Sequence, residues 1–184
     1  MKIGPAAFAF LLIGCSQSHS RMMPLEQGNT WTYAYNSTYE EVVAEVRVSR
    51  KVAVGPVYGW ELSSLMGESH LAWQGSELIA AQMAGTRFQP PIPIYASEST
   101  SWAGTAITNG EEYSARATLT VSEETLDVGG TRHETIKTTL DIDIAGEPLQ
   151  LMTWFARDIG IVRQEQRRGT PLTFDHSIEF LSGP

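Results

Sequence analysis

The chain has 184 residues, a formal net charge of −8 from 21 acidic against 13 basic side chains, and a single cysteine. The negative sign disfavours nucleic acid and anionic head groups as general partners, and one thiol excludes an internal disulfide framework or a zinc knuckle. The roughly 160 residues beyond position 23 suit one domain with a real core.

The first element is a leader. Lys2 supplies a positive start, and the apolar run from Ile3 to Ile13, carried by Phe8, Phe10, Leu11 and Leu12, is too short to span a bilayer. Leu12-Ile13-Gly14-Cys15 closes it and resembles the lipobox of bacterial lipoproteins. The resemblance implies cleavage after Gly14 and a diacylglycerol thioether on Cys15, so the membrane is the expected partner, through that anchor. Several acyl chains make attachment persistent where one is marginal. Ser16 stands where an aspartate would resemble an inner-membrane retention signal, so the favoured address is the outer membrane facing the periplasm. Loss of residues 1–14 removes Lys2 and no acid, taking the charge from −8 to −9. Residues 15–23 read as a lipidated tether and residues 24–184 as a single domain.

From Pro24 onward the apolar pattern has period two, the signature of strands with one buried face. Trp31, Tyr33 and Tyr35 share a face, with Thr30, Thr32 and Ala34 opposite. Ala44, Val46, Val48, Val52 and Val54 repeat the pattern, as do Tyr113 to Val121, Ile136 to Ile144 and Leu172 to Phe180. Turn chemistry recurs between them, with Asn109-Gly110 the strongest hairpin signal because both residues tolerate positive φ. Regular turns between short alternating runs indicate an antiparallel meander. The expected fold is therefore all-β or β-dominated: about ten strands in one curved sheet or half-barrel, with closure open and room for one short helix. Ser76 to Gly85 reads as a strand although its composition also suits a helix. Arg87 to Ser101 carries Pro90, Pro91 and Pro93, which remove backbone donors; it reads as a long loop or a flap across the sheet, not a central strand.

With these strands placed, Pro24-Leu25-Glu26-Gln27-Gly28-Asn29-Thr30-Trp31-Thr32-Tyr33 resembles the opening motif of a group of poorly characterised bacterial lipoproteins. Thr153-Trp154-Phe155-Ala156, with Gly160-Ile161-Val162, is similar to that group's second motif. Ser101-Trp102-Ala103-Gly104 falls between them in the expected order. The group in turn resembles, in strand order, the half-barrels of the LolA and LolB lipoprotein carriers. The resemblance implies an envelope scaffold and carries over no catalytic residue.

Chemistry-bearing groups are sparse. His19, His70, His133 and His176 are scattered without zinc-ligand spacing, so no metal or cofactor is expected. The pairs Glu40-Glu41, Glu111-Glu112 and Glu123-Glu124 sit at strand ends, where solvation explains them, and Arg163, Arg167 and Arg168 form the one basic cluster. No Gly-x-Ser-x-Gly elbow is present. A non-enzymatic protein is expected. Large amphipathic rings are the more telling feature, since they serve both cores and ligand pockets. Trp31, Tyr33, Tyr35, Trp102 and Trp154, with His176, are the ligand-binding candidates. The leading expectation is a membrane-anchored binding or carrier scaffold for an apolar or lipid-like ligand. The alternative is an assembly accessory that binds another envelope protein through a sheet edge.

Overall fold

The structure, a computed structural model, describes residues 20–184, so the leader, Cys15 and His19 lie outside the described residues. A 3-10 turn at Ser20–Met22 precedes twelve strands. They are β1 (Thr30–Ser37), β2 (Glu41–Val54), β3 (Val57–Ser64), β4 (Gly67–Gln74), β5 (Glu77–Met83), β6 (Thr86–Tyr95), β7 (Thr100–Thr108), β8 (Glu111–Val128), β9 (Thr131–Ile144), β10 (Glu147–Ala156), β11 (Gly160–Arg168) and β12 (Thr173–Ser182). Every strand pairs antiparallel with its chain neighbours, and β1 pairs with β12, so the meander closes into a barrel. The sequence pattern identified the class and most strands; the ring closure it left open is supplied by Tyr33↔Phe180 through Ser37↔His176.

Alternation explains which side of each strand faces in. Trp31 and Tyr33 are buried in the main core, joined by Leu71, Leu78, Ala80, Leu140, Ile142, Leu151, Phe155 and Ile178 from strands all round the ring. Asn109 and Gly110 both adopt positive φ, 55° and 84°, as their hairpin requires. Ser76 to Gly85 contains β5, so the composition that suits a helix yields to pairing on both sides.

Two expectations change. The proline-rich stretch is neither loop nor flap: β6 pairs along β5 from Leu78↔Tyr95 to Met83↔Thr86. Its pairing to β7 stops at Gln89↔Thr105, just where the prolines remove donors. Trp102 replaces the lost contact by donating its indole N–H to Pro90 O, and Thr138 reaches from β9 to donate to Ile94 O at 3.0 Å. The tether, secondly, ends before Met23, which is buried in the core. The basic cluster lies inside the ring's pairing and at no free sheet edge. Arg163 and Arg167 both approach Glu165, and Arg168 pairs with Asp175, within a closed wall.

Two smaller apolar clusters lie outside the ring. The far end of the β2–β3 hairpin folds over β4 and β5, packing Val54 on Ala72 and Ile79. The end of the β8–β9 hairpin brings Val128 and Leu126 against Met152, Trp154 and Val162. Gly59 is what lets the first hairpin approach: a Cβ there would stand 2.1 Å from Leu71 O and 2.6 Å from Ala72 Cβ. Gly59→Ala therefore forces backbone apart and is expected to cost about 1–3 kcal/mol, the range for overpacking. Urea unfolding measures it, and an unchanged midpoint would remove this packing account.

Candidate functional site

The two ends of the barrel differ. At the end that receives the chain, residues 21–29 fold across and seal it. Trp73 donates its indole N–H to Met23 O at 3.0 Å, Trp31 donates to Ile159 O, and Arg21 forms a bidentate pair with Asp158. Tyr95 packs edge-on against both Trp73 and Phe155, with ring centroids 5.5 and 5.2 Å apart. Large rings thus fill the closed end.

At the other end the interior stays hollow. A cavity of about 580 Å³ opens between the β3–β4, β5–β6, β7–β8, β9–β10 and β11–β12 turns. Met23 and Ile94 line it, and Val46, Leu62, Leu71, Phe88, Leu151, Ile161 and Ile178 form an apolar wall. Nearer the mouth the lining turns polar, with Ser64, Ser69, Thr86, Thr108, Gln164, Gln166, Arg168 and His176. Eight strands close around a space that side chains just fill; twelve close around more. The size falls in the 300–1,000 Å³ range typical of small-molecule sites. Left as a dry internal void it would cost about 14 kcal/mol at ~24 cal/mol per Å³, as much as a whole domain's stability. An opening to solvent is what makes such a hollow tolerable.

A hydrogen-bonded cluster edges the mouth. The Asp175 carboxylate accepts from Gln166 Nε2 at 2.6 Å and pairs with Arg168 Nε at 2.9 Å, with His176 Nδ1 at 3.3 Å. Burial opposes ionisation of Asp175, but the Gln166 bond and the charges of Arg168 and His176 outweigh it and hold its carboxyl below the usual value. Burial likewise lowers the His176 imidazole against the pull of Asp175, and its ring packs on Tyr35 at 5.5 Å. Exposed apolar side chains stand on neighbouring turns of this end: Tyr39, Leu65, Leu172 and, just inside β12, Phe174.

The sequence candidates therefore separate. Tyr33 and His176 line the cavity. Tyr33 is fully buried, which pushes its phenol up, and it donates to Ile161 O at 3.0 Å. Trp31 belongs to the seal, Tyr35 backs His176, and Trp102 fills the gap between β6 and β7 while packing edge-on against Phe88. Trp154 faces the other way, under the β8–β9 hairpin, where its indole donates to Glu124 and Lys137 sits 4.7 Å above the ring. Gln164 and Gln166 escaped sequence reading. Nothing in a lone glutamine on an alternating strand signals a lining role.

A second polar group lies on the outer wall. Glu61 and His70 stand directly opposite on β3 and β4, and ligand atoms of Glu61, Glu68 and His70 fall within 4.8 Å of one another. The cation beside Glu61 is already present: Arg50 donates to it twice, at 2.7 and 3.0 Å, and Ser49 once at 2.9 Å. The Arg50 bonds, helped by Ser49 and opposed by burial, bring the Glu61 carboxyl from its ordinary 4.5 to about 2. This pairing anchors the bulge where β2 skips from Val48 to Lys51 against β3.

No family model matches the chain, and no curated protein matches it. Solved structures do. A protein of Parabacteroides distasonis, provisionally assigned as a lipoprotein, superposes with a TM-score of 0.56 at 9% identity, over 89% of this chain and 98% of that one. A provisionally assigned exported protein of Bacteroides fragilis with a YmcC-like fold gives 0.53 at 10% identity, over 86% and 96%. The hypothetical lipoprotein YmcC of Escherichia coli superposes more loosely, at 0.45 and 10% identity over 91% and 90%. The first two likenesses establish a shared fold that spans nearly the whole of each neighbour.

Because the Glu61 carboxyl is depressed in the folded state, its contribution is present above the unfolded value near 4.5 and is lost as pH falls toward about 2. Glu61→Gln is expected to cost about 1–2 kcal/mol at neutral pH, allowing for the exposure of Arg50. The penalty should shrink between pH 4.5 and 2 in thermal melts; a penalty independent of pH would contradict the assignment.

Proposed function

We propose that the protein is a membrane-anchored envelope lipoprotein whose barrel holds one apolar or lipid-like molecule without transforming it. The supporting observation is the 580 Å³ hollow, apolar along its wall and open at one end only. The lipobox-like Leu12-Ile13-Gly14-Cys15 supplies the anchor, and the provisional lipoprotein and exported-protein assignments of the fold neighbours agree with an envelope address. Six Cα-to-Cα steps lead from Cys15 to Arg21, which pairs at the sealed end. That span covers at most about 21 Å when fully extended. The anchor therefore holds the sealed end toward its membrane and turns the mouth away from it. If that membrane is the outer one, the mouth looks into the periplasm, where a ligand arrives from or departs to another carrier.

The second reading, an assembly accessory that adds a strand to a partner, has less to work with. Ring closure removes free edges, and Trp102 occupies the gap between β6 and β7.

Two measurements test the proposal. Cys15→Ser should abolish partitioning into membranes and detergent phase, and unchanged partitioning would remove the anchor. Val46→Trp should fill part of the cavity and lower the affinity for an apolar fluorescent probe at least tenfold while the barrel stays folded. Equal binding by wild type and variant would place the probe elsewhere.

A further inference from the structure

Taking the cavity as the seat of one apolar molecule, as proposed above, its polar lining specifies the head of that molecule. Gln166 is only 9% exposed, and its Nε2 donates to Asp175 Oδ2. A carboxylate accepts and does not donate, so this bond fixes which end of the amide is nitrogen. Gln166 Oε1 is left as an acceptor with no hydrogen-bond partner among the described residues. Gln164, one inward position away, likewise spends Nε2 on Thr153 Oγ1 at 2.9 Å and offers its oxygen. Both glutamines line the cavity.

Charge points the same way. Arg168 is the one cationic side chain of the lining apart from any proton on His176, and Asp175 already pairs with it. Glu147, the other charged lining residue, is acidic. An anionic head thus meets acceptor oxygens, the Glu147 carboxylate and a guanidinium already paired to Asp175, whereas a hydroxyl head meets the acceptors it needs. On the tail, the volume decides. A methylene takes up about as much room as a water, roughly 30 Å³, so 580 Å³ holds about 19 such groups. That is room enough for one long chain with a small head.

We propose that the barrel selects an uncharged single-chain amphiphile whose hydroxyls donate to Gln166 and Gln164 side-chain oxygens, the class of monoacylglycerols and long-chain alcohols, over fatty-acid and lysophosphatidate anions. The test is displacement of N-phenyl-1-naphthylamine from the acyl-free mature chain at pH 8 by monopalmitoylglycerol, palmitate and palmitoyl-lysophosphatidate, each below its aggregation concentration. Monopalmitoylglycerol should displace at concentrations at least tenfold lower than either anion. Gln166→Met keeps the shape and removes the acceptor, so it should weaken monopalmitoylglycerol about tenfold and leave palmitate and the dye within twofold. Gln164→Met, which leaves Asp175 untouched, should weaken it in the same selective way and serves if Gln166→Met does not fold. Equal or tighter displacement by the anions overturns the head-group assignment while dye binding upholds the cavity; failure of the dye to bind overturns both.

Discussion

Ring closure by β1 against β12 is the constraint on which the rest depends. Once Tyr33 pairs with Phe180 and Ser37 with His176, twelve strands fix a circumference that inward side chains cannot fill along its whole height. The interior must then be plugged, flooded or occupied. This barrel does different things at its two ends. The sealed end takes the largest rings, Trp31, Trp73, Tyr95 and Phe155, and adds Met23 from the segment that precedes β1. The open end carries Ser, Thr and Gln instead, and the hollow survives there.

The seal also bears on the proposed anchoring. The Trp31 and Trp73 indole nitrogens donate to the backbone carbonyls of Ile159 and Met23, tying the segment to the barrel. Arg21 and Asp158 clamp the same segment from outside. Arg21 to Met23, which lead into the domain, are therefore part of its floor. The polarity of the cavity runs from an apolar base to a hydrogen-bonding rim, and the proposed anchor at Cys15 would present that rim to the far side.

Much of this was legible as alternation. Trp31, Tyr33 and the Ile136 to Ile144 run declare their inward faces, and Asn109-Gly110 declares its turn, because period two and positive φ are local properties. Closure was not legible, since a strand pattern states which face is buried and says nothing of which strand is its neighbour. The β6 strand was hidden by the same logic in reverse: Pro90 and Pro93 argue locally against a ladder, but β5 supplies pairing on one side and Trp102 and Thr138 compensate on the other. Trp154 misled because β10 is buried on both faces from Leu151 to Ala156, so alternation could not say that this ring belongs to the outer cluster. Glu61, Arg50 and His70 became a group only across strands, through a bulge that no spacing rule reports. Gln164 and Gln166 lacked any signal because amides gain their meaning from Asp175 and Thr153, which lie elsewhere in the chain.

The central claim is that the hollow is a seat for one chain-like molecule. It is tested most directly by diffraction from crystals of the acyl-free mature protein grown with a single-chain amphiphile brominated near its tail end. An anomalous bromine peak between Ile94, Leu71 and Leu151, one per barrel, is the predicted result. A barrel filled by its own side chains, or bromine found only on the outer wall, would contradict the account.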